Sequence, residues 1–234
     1  MKKIIIATLI AAIILTPMVL ADPKPKEPVD KITFIHYKDG TIKETGKGAL
    51  GQGPSCYKLM GIKWNSLSIN YVINPSTQNR KLVTDAISAA TSEWDSHTNA
   101  QLFGTYSIDS SAIFDTSLSD GVNEYVFGSY PDSNVIAVTN IWYTRFGKQI
   151  VDYDVLFNTY YKWKDCQTTN CDTSKDMDLQ NIATHETGHG IGLADVYSSA
   201  CSTVTMYGFS WAGDMGKRVL EQPDITGLQK IYGT

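Results

Sequence analysis

From Leu67 to Ile73 apolar and polar residues alternate (Leu-Ser-Ile-Asn-Tyr-Val-Ile), the period of two that a half-buried strand requires. Asn74-Pro75-Ser76-Thr77 ends that strand and offers caps for the next element. From Arg80 to His97 the period changes. Leu82, Val83, Ala86, Ile87, Ala90 and Trp94 recur at helical spacing, which predicts a long amphipathic helix packed on a sheet. Past Leu102 and Phe103 the pattern becomes irregular, and residues 107–134 are rich in Ser, Asp and Gly, with one strand expected around Glu124–Phe127. Val135–Thr139, continuing toward Tyr143, and Gln149–Tyr161 read as two further strands, the second with Val151, Tyr153, Val155 and Phe157 on one face. Leu179, Ile182 and Ala183 then return to helical spacing and run on into His185 and His189, with Ser174 or Asp176 as the expected cap. Pro223, at a first helical position, opens a terminal helix through Ile225, Leu228 and Ile231, and Gly233 stops it. Strands, helix, strands, helix, helix describe an α+β domain.

Ahead of Cys56 the pattern differs. Lys2-Lys3, the apolar stretch Ile4–Leu20 and the small residues before position 22 describe a secretory signal peptide over residues 1–21. A retained N-terminal anchor is the alternative, since the apolar stretch lies at the low edge of a spanning length. Residues 22–55 are expected to be a linker or a short pro-segment. Within them 22–30 is rich in proline and charge, Lys31–Tyr37 alternates like a strand, and Asp39-Gly40 suits a hairpin turn into Thr41-Ile42-Lys43. The stretch after that is glycine-rich, and the compact domain is placed at 56–234.

Composition narrows the partners. The 234 residues are 42% hydrophobic and 19% charged, enough for a sizeable core. The formal charge is −4, with 20 basic and 24 acidic residues, and loss of Lys2 and Lys3 with the leader would make it more negative. That balance argues against a nucleic-acid partner. No membrane contact is expected of the mature domain, and a monomer is the expected state. The four cysteines, an even count in an exported chain, favour two disulfides. Cys166 and Cys171 close a short polar loop, which leaves Cys56 for Cys201.

Two of the four histidines stand four residues apart in His185-Glu186-Thr187-Gly188-His189. On a helix such a pair leaves one face with Cβ atoms about 5–6 Å apart. Both imidazoles can then meet one zinc ion at about 2.0–2.1 Å. Glu186 can reach a metal-bound water rather than the metal, the place of a general base. Gly192 can take a positive φ, so the helix can stop and swing Asp195 back as a third ligand, leaving a fourth position open as catalytic zinc sites do. The candidate metal ligands are therefore His185, His189 and Asp195, with Glu186 catalytic and one zinc ion as cofactor. His36 and His97 fall outside the motif and are expected at the surface.

The extended string His185-Glu186-x-x-His189-x-x-Gly192-x-x-Asp195, followed by Met206, resembles the metzincin metallopeptidases, and among them the matrixins most. Thr205-Met206-Tyr207 resembles the Leu-Met-Tyr of the matrixin turn. Leu220-x-x-Pro223-Asp224-Ile225-x-Gly227-Leu228-Gln229-x-Ile231-Tyr232-Gly233 resembles the matrixin ending. Ile69–Ile73 with Asn74-Pro75, and the helix bearing Trp94, fit the matrixin opening. The resemblance covers residues 56–234. It implies a twisted, mostly parallel sheet with an antiparallel edge strand, a long packing helix, an active-site helix and a C-terminal helix. It also implies a secreted zinc endopeptidase in which zinc activates a water and Glu186 takes its proton. A protein or peptide substrate would lie along Asn134–Tyr143, with a pocket walled by Phe209 and Trp211. Asp195 departs from the pattern, since matrixins usually carry a third histidine there. The histidine that would ligate a structural zinc is replaced near Val138, so no such zinc is expected. Calcium is possible, with Asp132, Asp152 and Asp154 as candidates. Matrixin pro-segments carry a Pro-Arg-Cys-Gly-like motif, which Gly53-Pro54-Ser55-Cys56-Tyr57 does not match, so a disulfide is favoured for Cys56 over an inhibitory thiolate. Tyr207 directly succeeds Met206 and is given no catalytic role. Two alternatives remain. One is a peptidase that takes Glu221, 32 residues past His189, as its third ligand. The other is a non-catalytic exported metal-binding protein.

Overall fold

The computed structural model describes residues 27–38 and 55–234. The expected signal peptide and the turn at 39–43 lie outside the described residues, as does the glycine-rich stretch as far as residue 54. The first elements are β1 (Val29–Lys38), β2 (Lys58–Leu59), β3 (Ile69–Ile73), α1 (Arg80–Asp95), β4 (Phe103–Ile108) and β5 (Asn123–Gly128). Then come β6 (Val135–Thr144), β7 (Ile150–Asn158), β8 (Lys162–Lys164), β9 (Asp176–Asp178), α2 (Leu179–Gly190), β10 (Leu193–Ala194), β11 (Phe209–Ser210) and α3 (Gln222–Tyr232).

Among the described residues, seven strands form the main sheet in the order β11-β1-β6-β7-β5-β3-β4. The β7-β5, β5-β3 and β3-β4 pairings are parallel and β6 runs antiparallel to β7, giving the mostly parallel sheet of the α+β expectation. Both helices α1 and α2 bury their apolar sides against one face, where Ile73, Tyr125, Tyr153, Val155 and Phe157 meet Val83, Ile87, Trp94, Leu179 and Ile182. The alternation Tyr153, Val155, Phe157 is thus the core side of β7. Each fully buried side chain of this size contributes about 1.5–3 kcal/mol. Trp94 does more than fill space, since its indole Nε1 donates to the carbonyl oxygen of Thr184 at 2.8 Å and fixes α1 on α2. On the other face Val126, Val135, Val138 and Leu156 form a smaller cluster that takes in Ile35 and Tyr37 from β1.

Several local details differ from expectation. α1 ends at Asp95, with Asn79 as its N-cap accepting from the Leu82 amide. The cap of α2 is Asp178, whose Oδ1 accepts from the Asn181 amide at 2.9 Å, not Ser174 or Asp176. The reason is the pairing of β9 with β8, which keeps 176–178 extended and delays the helix, while Asp176 turns to Lys164. β4 has no signal in the sequence because it is a sheet edge with mostly exposed side chains, so it lacks an apolar period. Within residues 22–55, Val29–Lys38 is a full strand of the main sheet and lies outside β6. Both disulfides pair as expected, Cys56 with Cys201 and Cys166 with Cys171. Among the described residues no helix is long and apolar enough to cross a membrane.

Candidate metal centre

α2 carries His185, Glu186 and His189 into the interior, and all three are buried. Two glycines let the helix approach that closely. A Cβ at Gly188 would meet Met206 Sδ and Trp94 Cζ2, the latter at 2.7 Å, and one at Gly190 would lie 2.9 Å from the Tyr153 ring. The helix then stops at Gly192, which has φ +104 and lies against the Ile62 carbonyl, so neither the conformation nor the space accepts a side chain. The turn leads into β10 and returns Asp195 to the two imidazoles. Asp195 Oδ1 stands 3.2 Å from His185 Nε2 and 3.4 Å from His189 Nε2.

The opposite ring nitrogens are already used. His185 Nδ1 donates to the Thr205 carbonyl at 2.7 Å, and His189 Nδ1 to the Leu193 carbonyl at 2.8 Å. These bonds set the tautomers and aim both Nε2 lone pairs inward. His185 Nε2, His189 Nε2 and Asp195 Oδ1 are buried and lack a hydrogen-bond partner. Three such atoms together are costly unless something bridges them. Two imidazole nitrogens and a carboxylate oxygen, all within 4.8 Å of one another, are a donor set that fits zinc. The remaining Asp195 oxygen, Oδ2, accepts from the Tyr197 hydroxyl at 2.9 Å.

Met206 is fully buried beneath α2. Asp224, at the start of α3, accepts from the amides of Thr205 at 2.8 Å and Met206 at 3.1 Å. The terminal helix thus holds the turn whose carbonyl orients His185. Glu221, the rival third ligand, caps α3 instead and does not join the group of His185, His189 and Asp195.

Glu186 is surrounded by residues that no motif reading could supply. Its Oε2 accepts from Thr139 Oγ1 of β6 at 2.6 Å, and its Oε1 lies 2.9 Å from His36 Nδ1. Burial pushes the carboxyl up to about 7, with the nearby His189 and the Thr139 hydroxyl working against that rise. His36 is not at the surface as expected. It is 1% exposed, its ring 4.0 Å from that of His185, because β1 adds to the sheet and points it inward. A local alternation of apolar residues does not say which strand it will pair with. Phe34, two residues back, stacks on His189 at 3.9 Å and 11°. Lys217 completes the group, its buried Nζ donating to the Tyr207 carbonyl and standing 3.4 Å from His36 Nε2. Burial lowers this ammonium to about 8. His97 is half-buried beside Glu93, 3.1 Å away, and lies apart from the centre. Tyr197, Thr139, Phe34 and Lys217 had no signal in the sequence.

The calcium candidates separate. Asp132 accepts from the Asn134 amide, remote from the others. Asp152 and Asp154 stand together at the start of β7, with Oδ1 of each buried and unpartnered, and Glu124 Oε2 beside them in the same condition. Asp115 and Asp120 bring oxygens within 4.8 Å of Asp152. Burial and the neighbouring carboxylates push Glu124 up to about 7, Asp152 to about 6 and Asp154 to about 9. Phe209 lies buried on β11 and Trp211 is half exposed beyond it.

A family model described as matrixin, of the M10 peptidases, matches residues 63–233. No curated protein matches the chain.

Proposed function

The chain belongs to the matrixin family of zinc metallopeptidases, and from that premise we propose that it is a secreted endopeptidase with Glu186 as its general base and His185, His189 and Asp195 as its zinc ligands. The observation that carries this reading is the trio of buried, unpartnered atoms, His185 Nε2, His189 Nε2 and Asp195 Oδ1, facing one another. Bound there, zinc supplies Lewis-acid activation of water and polarisation of the scissile carbonyl. The chain's residues do the rest. The carbonyls of Thr205 and Leu193 hold the imidazoles in place, and Tyr197 holds the outer oxygen of Asp195. A Glu186 carboxylate oxygen takes the proton from the attacking water and later passes it to the nitrogen of the departing amine. An extended peptide substrate pairs with the edge of β6 that faces away from β7, in place of β1, which holds that edge in this structure; backbone hydrogen bonds there give affinity with little demand on sequence. Secretion is favoured by the two disulfides, which form and persist in oxidising compartments. A calcium ion suits the oxygens of Asp115, Asp120 and Asp152, with Asp154 and Glu124 behind them, since calcium takes six to eight oxygen ligands at about 2.3–2.6 Å.

Glu186→Ala tests the base. It should slow cleavage of a peptide substrate by about 10²–10⁴-fold while zinc content by atomic absorption stays at the wild-type level. A variant that digests casein as fast as the wild type would end this mechanism.

A further inference from the structure

Lys217 is 3% exposed, and among the described residues its ammonium has no carboxylate partner. Its Nζ donates to the carbonyl of Tyr207, the residue after Met206, and otherwise faces only His36 Nε2. An interior cation without a counter-ion is costly, and a lysine can usually carry its head out to water. The backbone here prevents that. The Lys217 amide donates to Asn181 Oδ1 at 2.6 Å, one turn ahead of His185 on α2, and the next residue, Arg218, is held by ion pairs to Asp165 and Asp178. Lys217 is thereby pinned with its side chain turned inward, next to the candidate centre.

What the ammonium looks onto is set by the strand on the outer edge of β6. That strand runs antiparallel to β6 and parallel to β11, and its alternate side chains meet the centre, Phe34 on His189 and His36 on His185. His36 stands between two charged groups. Its Nδ1 donates to Glu186 Oε1 at 2.9 Å, which leaves Nε2 with a bare lone pair toward Lys217. At this register the strand therefore offers an acceptor and the protein offers a cation. A neutral imidazole answers the cation poorly, since 3.4 Å is long for a nitrogen–nitrogen hydrogen bond. A carboxylate oxygen in the same place makes a charge-assisted bond, about twice as strong as a neutral one.

We propose that Lys217 determines substrate specificity, its ammonium selecting a glutamate side chain on the peptide residue that takes the place of His36 on the β6 edge. This rests on the reading of the centre as a peptidase site and names the class of peptide it prefers. Glutamate fits because its carboxylate reaches about as far from Cα as the imidazole Nε2 does, and so meets the ammonium. Aspartate is one methylene shorter. Its oxygens stay level with Nδ1, opposite the Glu186 carboxylate, where like charges repel. A leucine or glutamine in that place leaves the buried cation without its counter-ion.

The test uses the full zinc-loaded chain as wild type, Lys217→Met and Lys217→Glu, with melting curves to confirm folding. A mixed peptide library is digested and the cleaved bonds are identified by mass spectrometry. Wild type should favour Glu over Gln by about tenfold or more at one fixed position beside the cleaved bond, the worth of a hydrogen bond to a charged group. Lys217→Met should lose that preference, and Lys217→Glu should turn it toward Lys and Arg at the same position, which a merely structural lysine would not do. A second readout needs no cleavage. His36→Glu should melt above His36→Gln while Lys217 is present, and below it when combined with Lys217→Met. Cleavage by wild type without an acidic preference, or a preference that survives in both Lys217 variants, overturns the proposal and leaves the peptidase reading standing. Should neither Lys217 variant fold, the wild-type preference and the melting order with Lys217 in place still decide. If no form cleaves although zinc is bound, the peptidase reading fails, and the melting order alone decides whether Lys217 selects a carboxylate at that place.

Discussion

Asp195 turns Oδ1 toward the bare Nε2 atoms of both imidazoles, 3.2 and 3.4 Å away, while the Tyr197 hydroxyl donates to Oδ2. Glu221 in contrast only caps α3. Asp195→Ala should therefore purify without stoichiometric zinc. Glu221→Ala should keep its zinc and lose about 1 kcal/mol of stability, the usual value of an N-cap. Metal analysis and urea titration of the two variants separate the rival ligands directly. The acidic group at Glu124, Asp152 and Asp154 yields a pH prediction for the cation-free protein. All three hold a proton more tightly folded than unfolded, with values of about 7, 6 and 9. Where the native state binds more protons, stability falls as pH rises. Their contribution is present below about pH 4, near the unfolded values, and is lost as pH climbs through the folded ones. In chelator the Tm should decline from pH 5 to 9, and millimolar calcium should flatten that decline. An unchanged slope with calcium would remove the cation site from consideration.

At the scale of elements, the site depends on how closely α2 can lie against α1 and the turn at Met206. Gly188 marks the contact, since a methyl group there meets Met206 Sδ and the Trp94 ring. Gly188→Ala should cost about 1–3 kcal/mol through overpacking, read as a lower urea midpoint with the m-value unchanged. The periodic elements were legible from the chain alone. β3, α1, β7, α2 and α3 were each marked by apolar residues at a period of two or at helical spacing, β5 and β6 were read as strands without that alternation, and all of them fall where expected to within a few residues. β4 was invisible because an exposed edge needs no apolar face. The cap at Asp178 was misplaced because a short strand pairing, not the local sequence, sets where α2 begins.

For the whole molecule, Cys56–Cys201 closes a span of 145 residues and joins the start of the domain to the segment past Asp195, whereas Cys166–Cys171 spans five. Loop-closure entropy grows with span, so removing the long bridge should cost about 2–5 kcal/mol and removing the short one less. Denaturation midpoints of Cys56→Ser/Cys201→Ser and Cys166→Ser/Cys171→Ser test that order, and equal losses would contradict it. The same kind of long-range closure brings β1 to β6, and with it His36 to Glu186.

What the chain determined by itself was whatever depends on near neighbours. The spacing of His185 and His189, the turn at Gly192, the reach of Asp195 and the amphipathic helices are set within a few residues, where backbone geometry is the only constraint. The tertiary structure decided what depends on distant residues sharing one space. Thr139 and His36 on Glu186, and Asp224 under the Met206 turn, come from packing between segments far apart in the chain. Tyr197 is near Asp195 in sequence, yet its hydroxyl finds the carboxylate only through the fold of the turn after β10. The groups that would touch the metal have a spacing to read, and the groups that hold them in place do not. His36 carries the clearest lesson. Its strand was visible as a pattern, but which edge that strand would join, and so what the imidazole would touch, was set by a β6 edge whose residues lie about a hundred positions away.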